Sequence, residues 1–315
     1  MTADRPARIE RSVLEAGSDV HVDLVVVRGA HDGPTLSILG AIHGDEPEGS
    51  LAIDAAIAEL DQKHLRGTVR AVAICNVAAA ATDSRLSPLD GKNLAREFPG
   101  AADGSPTQRL ADLLTRCVIE GSDVLVDLHS AGRDYVMPFF AGYEANRPWS
   151  AISSRAAMAF GSPLVWEHNS VAPGRSISAA SLCAVPSIYV EAMGGDAVTG
   201  TTLDALVAGL NRVMSTVGMI DWADAAPPPA RVLKGGDGNV DASVSCRAAG
   251  MCITRVTPGE PVDACRLIAQ IYAEGRPVDE VYAPSAGMVM MLRRKPRVDA
   301  GDAIAMLGPL AVAAR

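Results

Sequence analysis

Short aliphatic runs recur through the first two-thirds of the chain, at residues 23–27, 35–39, 69–75, 123–128 and 187–190, each followed by turn-forming residues. Runs of this length and character predict buried strands. Between them, residues 50–60, 107–119, 151–160 and 203–217 repeat Ala, Ile, Leu and Val at helical spacing, which predicts amphipathic helices. Strands alternating with helices predict an α/β unit with a mixed or largely parallel sheet covered on both faces. No internal repeat is visible.

The pattern changes around residues 225–230, where Pro227, Pro228 and Pro229 follow the last long helical stretch. Three prolines in a row make a stiff, extended linker, so the expected division is 1–225 and 226–315. Beyond it come short strands and Gly/Pro turns, for example at 251–256 and 281–282. The closing layout, a turn at 283–287, a strand, then 298–305, looks like the small barrel-sandwich hairpin of biotinyl and lipoyl domains. No carrier lysine stands at a hairpin tip, so this reads as a β domain that shapes or covers a site elsewhere.

Composition narrows the function. The chain is 48% hydrophobic and 21% charged, as expected of a folded soluble protein. Aromatics at 4% leave little for a platform that stacks single-stranded nucleic acid. A net charge of −9 repels phosphate backbones, yet a local arginine cluster could still hold a small anion. The first eleven residues lack an apolar core, arguing against a secretory signal. Residues 71–81 are interrupted by Asn76 and too short to span a bilayer. Six cysteines without a CxxC pair read as reduced thiols of a cytoplasmic protein. Cys246, Cys252 and Cys265 are irregularly spaced, with no histidine nearby, and read as core rather than as a metal site.

The chemistry concentrates in Gly40-Ala41-Ile42-His43-Gly44-Asp45-Glu46-Pro47-Glu48-Gly49-Ser50. This segment follows a strand and precedes a helix, the place where open α/β sheets bind ligands. Gly44 suits a sharp turn and Pro47 the first helical position. An imidazole and a carboxylate three residues apart can share one zinc ion, which then needs a third ligand and keeps an open position. Asp45, Glu46 and Glu48 all compete for the carboxylate role, and acids also favour any helix N-terminus. Spacing favours Glu46 only mildly. A second histidine, His129, ends the strand at 123–128, with Asp127 two residues earlier on the same face and able to orient it.

Together with Asp90-Gly91-Lys92-Asn93-Leu94-Ala95-Arg96-Glu97-Phe98-Pro99-Gly100, Asp127-Leu128-His129-Ser130 and Tyr189-Val190-Glu191-Ala192-Met193-Gly194-Gly195, these residues give the chain its likeness. It resembles the succinylglutamate desuccinylase/aspartoacylase family of zinc carboxypeptidase-like deacylases. The resemblance implies a three-layer α/β/α fold and one Zn2+ per chain on His43, Glu46 and His129. It also implies Glu191 as general acid/base. Independently, Glu191 ends an aliphatic strand, where a buried carboxylate is costly without a task. By the family's placement, Arg85 would face the oxyanion, and Asn93 and Arg96 would hold the substrate carboxylate. Arg175 is a further loop arginine for substrate. Where the family more often has Asn-Leu-Asn-Arg, this chain has Ala95, so one amide beside the arginine is missing.

The expected function is zinc-dependent hydrolysis of a small N-acyl amino acid, closest in look to bacterial N-acetyl-diaminobutyrate deacetylases. A metallocarboxypeptidase and a non-catalytic metal or ligand binder are the alternatives. No nucleic-acid or membrane partner is expected, and a homo-oligomer is compatible with the sequence.

Overall fold

The computed structural model describes residues 6–222, 227, 229–239 and 242–312. The linker at 225–230 and the boundary between 225 and 226 fall largely outside them. The first part of the chain runs β1 (Arg8–Glu15), β2 (His21–Arg28), β3 (His31–Gly40), α1 (Pro47–Glu59), β4 (Arg66–Val72), α2 (Val77–Ala81) and α3 (Pro106–Leu114). It continues with β5 (Val124–Ser130), β6 (Tyr135–Val136), β7 (Phe140–Glu144), α4 (Ser150–Phe160), β8 (Leu164–His168), α5 (Ser176–Leu182), β9 (Ser187–Ala192) and α6 (Gly200–Thr216). The later strands are β10 (Arg231–Lys234), β11 (Val244–Ser245), β12 (Gly250–Thr254), β13 (Pro261–Val262), β14 (Leu267–Ala273) and β15 (Arg276–Tyr282). Then come β16 (Gly287–Arg293), β17 (Arg297–Val298), β18 (Ala303–Gly308) and β19 (Ala311–Val312).

A ten-stranded mixed sheet, in the order β1-β2-β4-β3-β5-β9-β7-β8-β10-β19, forms the frame. Its centre, β4-β3-β5-β9, is parallel. The β7–β9 pair is antiparallel, and the β1–β2 hairpin closes one edge. Alternation along each strand sends neighbouring residues to opposite faces. Leu36 and Ile38 of β3 thus join Val124, Val126 and Leu128 of β5 and residues of α1, α4 and α6 in one core. Leu39 and Leu125 face the other way, against α3 and α5.

All five aliphatic runs lie in or overlap strands, and all four helical stretches lie in or overlap helices. Two ends differ. The run at 69–75 leaves the sheet after Val72, and the stretch at 107–119 changes from α to π helix at Thr115–Ile119. The strands β1, β7 and β8 were not foreseen. β1 is mostly exposed and polar, and β7, Phe-Ala-Gly-Tyr-Glu, holds a glycine and no β-branched residue.

The region after residue 230 first adds β10, parallel to β8, to the large sheet, and returns to it through β19. Between these, β11-β18-β16-β13 and β15-β14-β12-β17 form two smaller antiparallel sheets around their own core. β6 pairs with β16, tying the two regions together. No helix among the described residues is long and apolar enough to cross a membrane.

Candidate metal centre and catalytic cavity

β3 delivers the chain to His43, and α1 begins immediately after Glu46 with Pro47 at its first position. Gly44 serves close approach rather than a left-handed turn. A Cβ there would sit 2.1 Å from the Ala79 carbonyl carbon, so any other residue would push the loop off α2. β5 carries His129, whose register partner on the adjacent parallel strand β9 is Glu191. Three elements thus bring four chemistry-bearing side chains to one end of the sheet.

Glu46 lies between the two histidines. Its Oε1 is 2.7 Å from His43 Nδ1, and its Oε2 is 2.9 Å from His129 Nδ1. It also accepts from Arg85 Nη1 at 2.9 Å and from the Ser130 amide at 3.2 Å. The far imidazole nitrogens are also engaged. His43 Nε2 lies 3.0 Å from Asn93 Oδ1, which also accepts from the Ala95 amide. His129 Nε2 lies 3.0 Å from Asp127 Oδ2, to which Ser176 also donates. Each ring therefore faces an oxygen acceptor on both sides, while a neutral imidazole carries one proton. A cation between the Nδ1 atoms and Glu46 resolves that excess of acceptors. The ligand atoms of His43, Glu46 and His129 lie within 4.8 Å of one another, and two imidazoles with a carboxylate are a donor set that suits zinc.

The electrostatics agree. Burial, helped by Arg85, lowers His43 to about 4, so its ring is neutral. Burial would also lower His129, but Asp127 and Glu46 outweigh it and raise the ring well above the ordinary range. Burial would raise Glu46, but His43 and His129 outweigh it and hold the carboxyl well below its usual value. The raised His129 and the lowered Glu46 both mark a cluster that favours positive charge.

Of the three competing acids, only Glu46 touches both histidines. Asp45 and Glu48 are raised chiefly by burial, and each keeps one oxygen with no hydrogen-bond partner. Glu191 is raised to about 8, mainly by burial and partly by Glu46, against the pull of His129. Its Oε2 is buried and without a hydrogen-bond partner among the described residues.

A cavity of about 490 Å³ opens beside this cluster. Glu191, Arg85, Arg96 and Arg175 line it with the three ligand candidates. Asn93 is not on its wall. Its carbonyl oxygen is taken up by His43 and the Ala95 amide. Arg96 donates to the Ala95 carbonyl, and Arg175 to Asn239 at 3.3 Å.

Several wall residues have no site role that the sequence pattern assigns. His168 and Tyr189, 2.7 Å apart through Nε2 and the hydroxyl, form one side. Asp237, Ser243 and Ser245 come from the region after β10. The run Leu-Val-Trp-Glu-His between Pro163 and Asn169 carries an ordinary strand signal that would have placed His168 at a strand end. Nothing local marks Asp237.

Residues 32–217 match the succinylglutamate desuccinylase/aspartoacylase catalytic domain. The chain is 32% identical over 297 residues to the N-alpha-acetyl-L-2,4-diaminobutyric acid deacetylase of Halomonas elongata, covering 90% of this chain and 84% of that protein. Its fold superposes on a succinylglutamate desuccinylase from a Silicibacter species with a TM-score of 0.86 at 25% identity, over 98% of this chain and 97% of the other. The product-bound ectoine utilization protein of Ruegeria pomeroyi gives a TM-score of 0.86 at 26% identity, over 98% of each chain. With the catalytic-domain match spanning more than half of its length, the chain belongs to the succinylglutamate desuccinylase/aspartoacylase family.

Proposed function

We propose that this chain hydrolyses the amide bond of a small N-acyl amino acid, using one Zn2+ held by His43, Glu46 and His129, and releases a carboxylate and a free amine. The observation that carries the reading is the convergence of two imidazole Nδ1 atoms on Glu46 at the mouth of a cavity that also holds Glu191. Because the Halomonas elongata relative is named for N-alpha-acetyl-L-2,4-diaminobutyric acid, that compound is the first substrate to test.

Zinc at this centre supplies Lewis acidity, polarising a carbonyl and making a water easier to deprotonate. Glu191 takes the proton of the attacking water and returns it to the leaving amine. Its buried, unpartnered oxygen supports this role, because burial keeps a carboxylate basic. Arg85 stabilises the negative charge that develops on the carbonyl oxygen. Arg96 and Arg175 hold the substrate carboxylate, for which a guanidinium fork is suited. Asn93 and Asp127 orient His43 and His129 from behind, fixing which nitrogen faces the ligand position.

The same reading gives the chain a three-layer α/β/α catalytic unit, supported by the two cores on opposite sheet faces. It gives residues 226–315 the role of a β unit, of barrel-sandwich type, that closes the cavity. A panel of N-acyl amino acids incubated with zinc-loaded protein, with released amine as the signal, tests it. Turnover is expected with N-acetyl-diaminobutyrate, abolished by a chelator and restored by zinc. Cleavage of C-terminal peptide bonds alone, or turnover indifferent to the chelator, would overturn it.

A further inference from the structure

In the large sheet β7 lies between β9 and β8, and Gly142 of β7 is the register partner of both Tyr189 and Trp166. A Cβ on Gly142 would sit 2.1 Å from Tyr189 Cε1 and 2.4 Å from Cζ. The missing side chain lets the Tyr189 ring lie across β7 and bring its hydroxyl 2.7 Å from His168 Nε2 on β8. Phe140 packs edge-on against Tyr189, and Trp166 lies 4.6 Å from the His168 ring. In a chain with few aromatics, this cluster fixes one phenol on the cavity wall.

His168 is fully buried, and burial lowers it to about 3, so the ring is neutral. Its Nδ1 finds no partner among the described residues. A bare acceptor is tolerated better in the interior than a bare N–H, which favours the tautomer that carries its proton on Nε2 and donates it to the Tyr189 oxygen. A hydroxyl that accepts in this way still has its own proton to give. The described residues offer the Tyr189 hydroxyl no second hydrogen-bond partner, and Tyr189 lines the cavity with Glu191 two residues further along the strand. Arg175 lines the same end, and its charge is felt at both Tyr189 and His168. The carboxylates of Glu191 and Asp237 are felt at Tyr189 too, Glu191 the more strongly, and Arg175 opposes them.

We propose that Tyr189, set in place by His168, donates a hydrogen bond to the substrate's free carboxylate beside Arg175, so that it selects carboxylates over neutral analogues. This rests on the N-acyl amino acid reading. Tyr189 is then a substrate-contacting specificity residue and His168 a positioning residue.

The test compares wild type with Tyr189→Phe on N-acetyl-diaminobutyrate and on its α-carboxamide, with calorimetric binding of both compounds alongside kinetics. The hydroxyl's loss is expected to raise KM for the acid about 10-fold or more, as for a hydrogen bond to a charged group. Its kcat should stay within about threefold, and KM for the carboxamide, whose carbonyl oxygen accepts only a neutral hydrogen bond, should rise distinctly less. His168→Gln, which keeps a side-chain N–H, is expected to retain most of the acid preference, and His168→Leu to lose it. Equal changes for both compounds would mean a merely structural role and overturn the proposal, as would no change at all. If the wild type binds the acid without turning it over, and Tyr189→Phe weakens only that binding, the hydrolase reading fails while the specificity role stands. If the wild type neither binds nor turns over the acid, both fail.

Discussion

At the His43–Glu46–His129 end of the cavity oxygen acceptors crowd around too few protons, whereas at the Tyr189–His168 end a hydroxyl proton is left over. The first end is deficient in positive charge and is built from charged groups at the ends of β3 and β5. At the second, Tyr189 and His168 take their positions from register across β9, β7 and β8, beside the single positive charge of Arg175. On the proposed reading the two ends of one cavity serve opposite chemistries, a cation at one and an oxygen acceptor at the other. A molecule with a scissile carbonyl and a carboxylate has a use for both.

The largest expected effect separates the ends by rate. Glu191→Gln should lower kcat by about 10²–10⁴, the usual worth of a general acid/base, while bound zinc, assayed by elemental analysis, stays at the wild-type level. Unchanged kcat in that variant would move the base elsewhere. Next comes the support behind His129. Asp127→Asn should weaken metal affinity about 10- to 100-fold, read by competition with a chromogenic chelator, and Tyr189→Phe should leave that affinity untouched. If both variants shift it alike, the two ends are not independent. The smallest effect is on stability. Gly142→Ala puts a methyl group into the Tyr189 ring, and overpacking of this kind costs about 1–3 kcal/mol, read from the denaturant midpoint. The same variant should raise KM for the acid while sparing the metal, sharpening the contrast between ends.

Much of the first end was legible because its residues sit in contiguous motifs. His43, Gly44, Glu46 and Pro47 lie within five positions, and Asp127 and His129 share a strand face. Even so, spacing could not separate Glu46 from Asp45 and Glu48. The family resemblance selected Glu46, and of the three acids it alone touches both rings. Asn93 shows the limit from the other side. Its motif placed it near the site, but only the geometry shows its oxygen behind His43. The second end was not legible, since Gly142, His168 and Tyr189 are scattered over 48 positions and meet only through strand order. The break in chain character at the prolines was visible, but not that β10 and β19 pair with the preceding sheet, because strands of four and two residues carry almost no periodic signal.

That pairing has a consequence for inheritance and for protein engineering. The region after residue 230 leaves the large sheet from β10 and comes back to it as β19, so it is attached by two strands rather than hung from one hinge. A fragment ending at the prolines would expose the β8 edge and remove Asp237 and Ser245 from the cavity wall. Recombination between relatives of this chain should keep the two parts together or join them only inside loops that leave β10 and β19 with their own sheet.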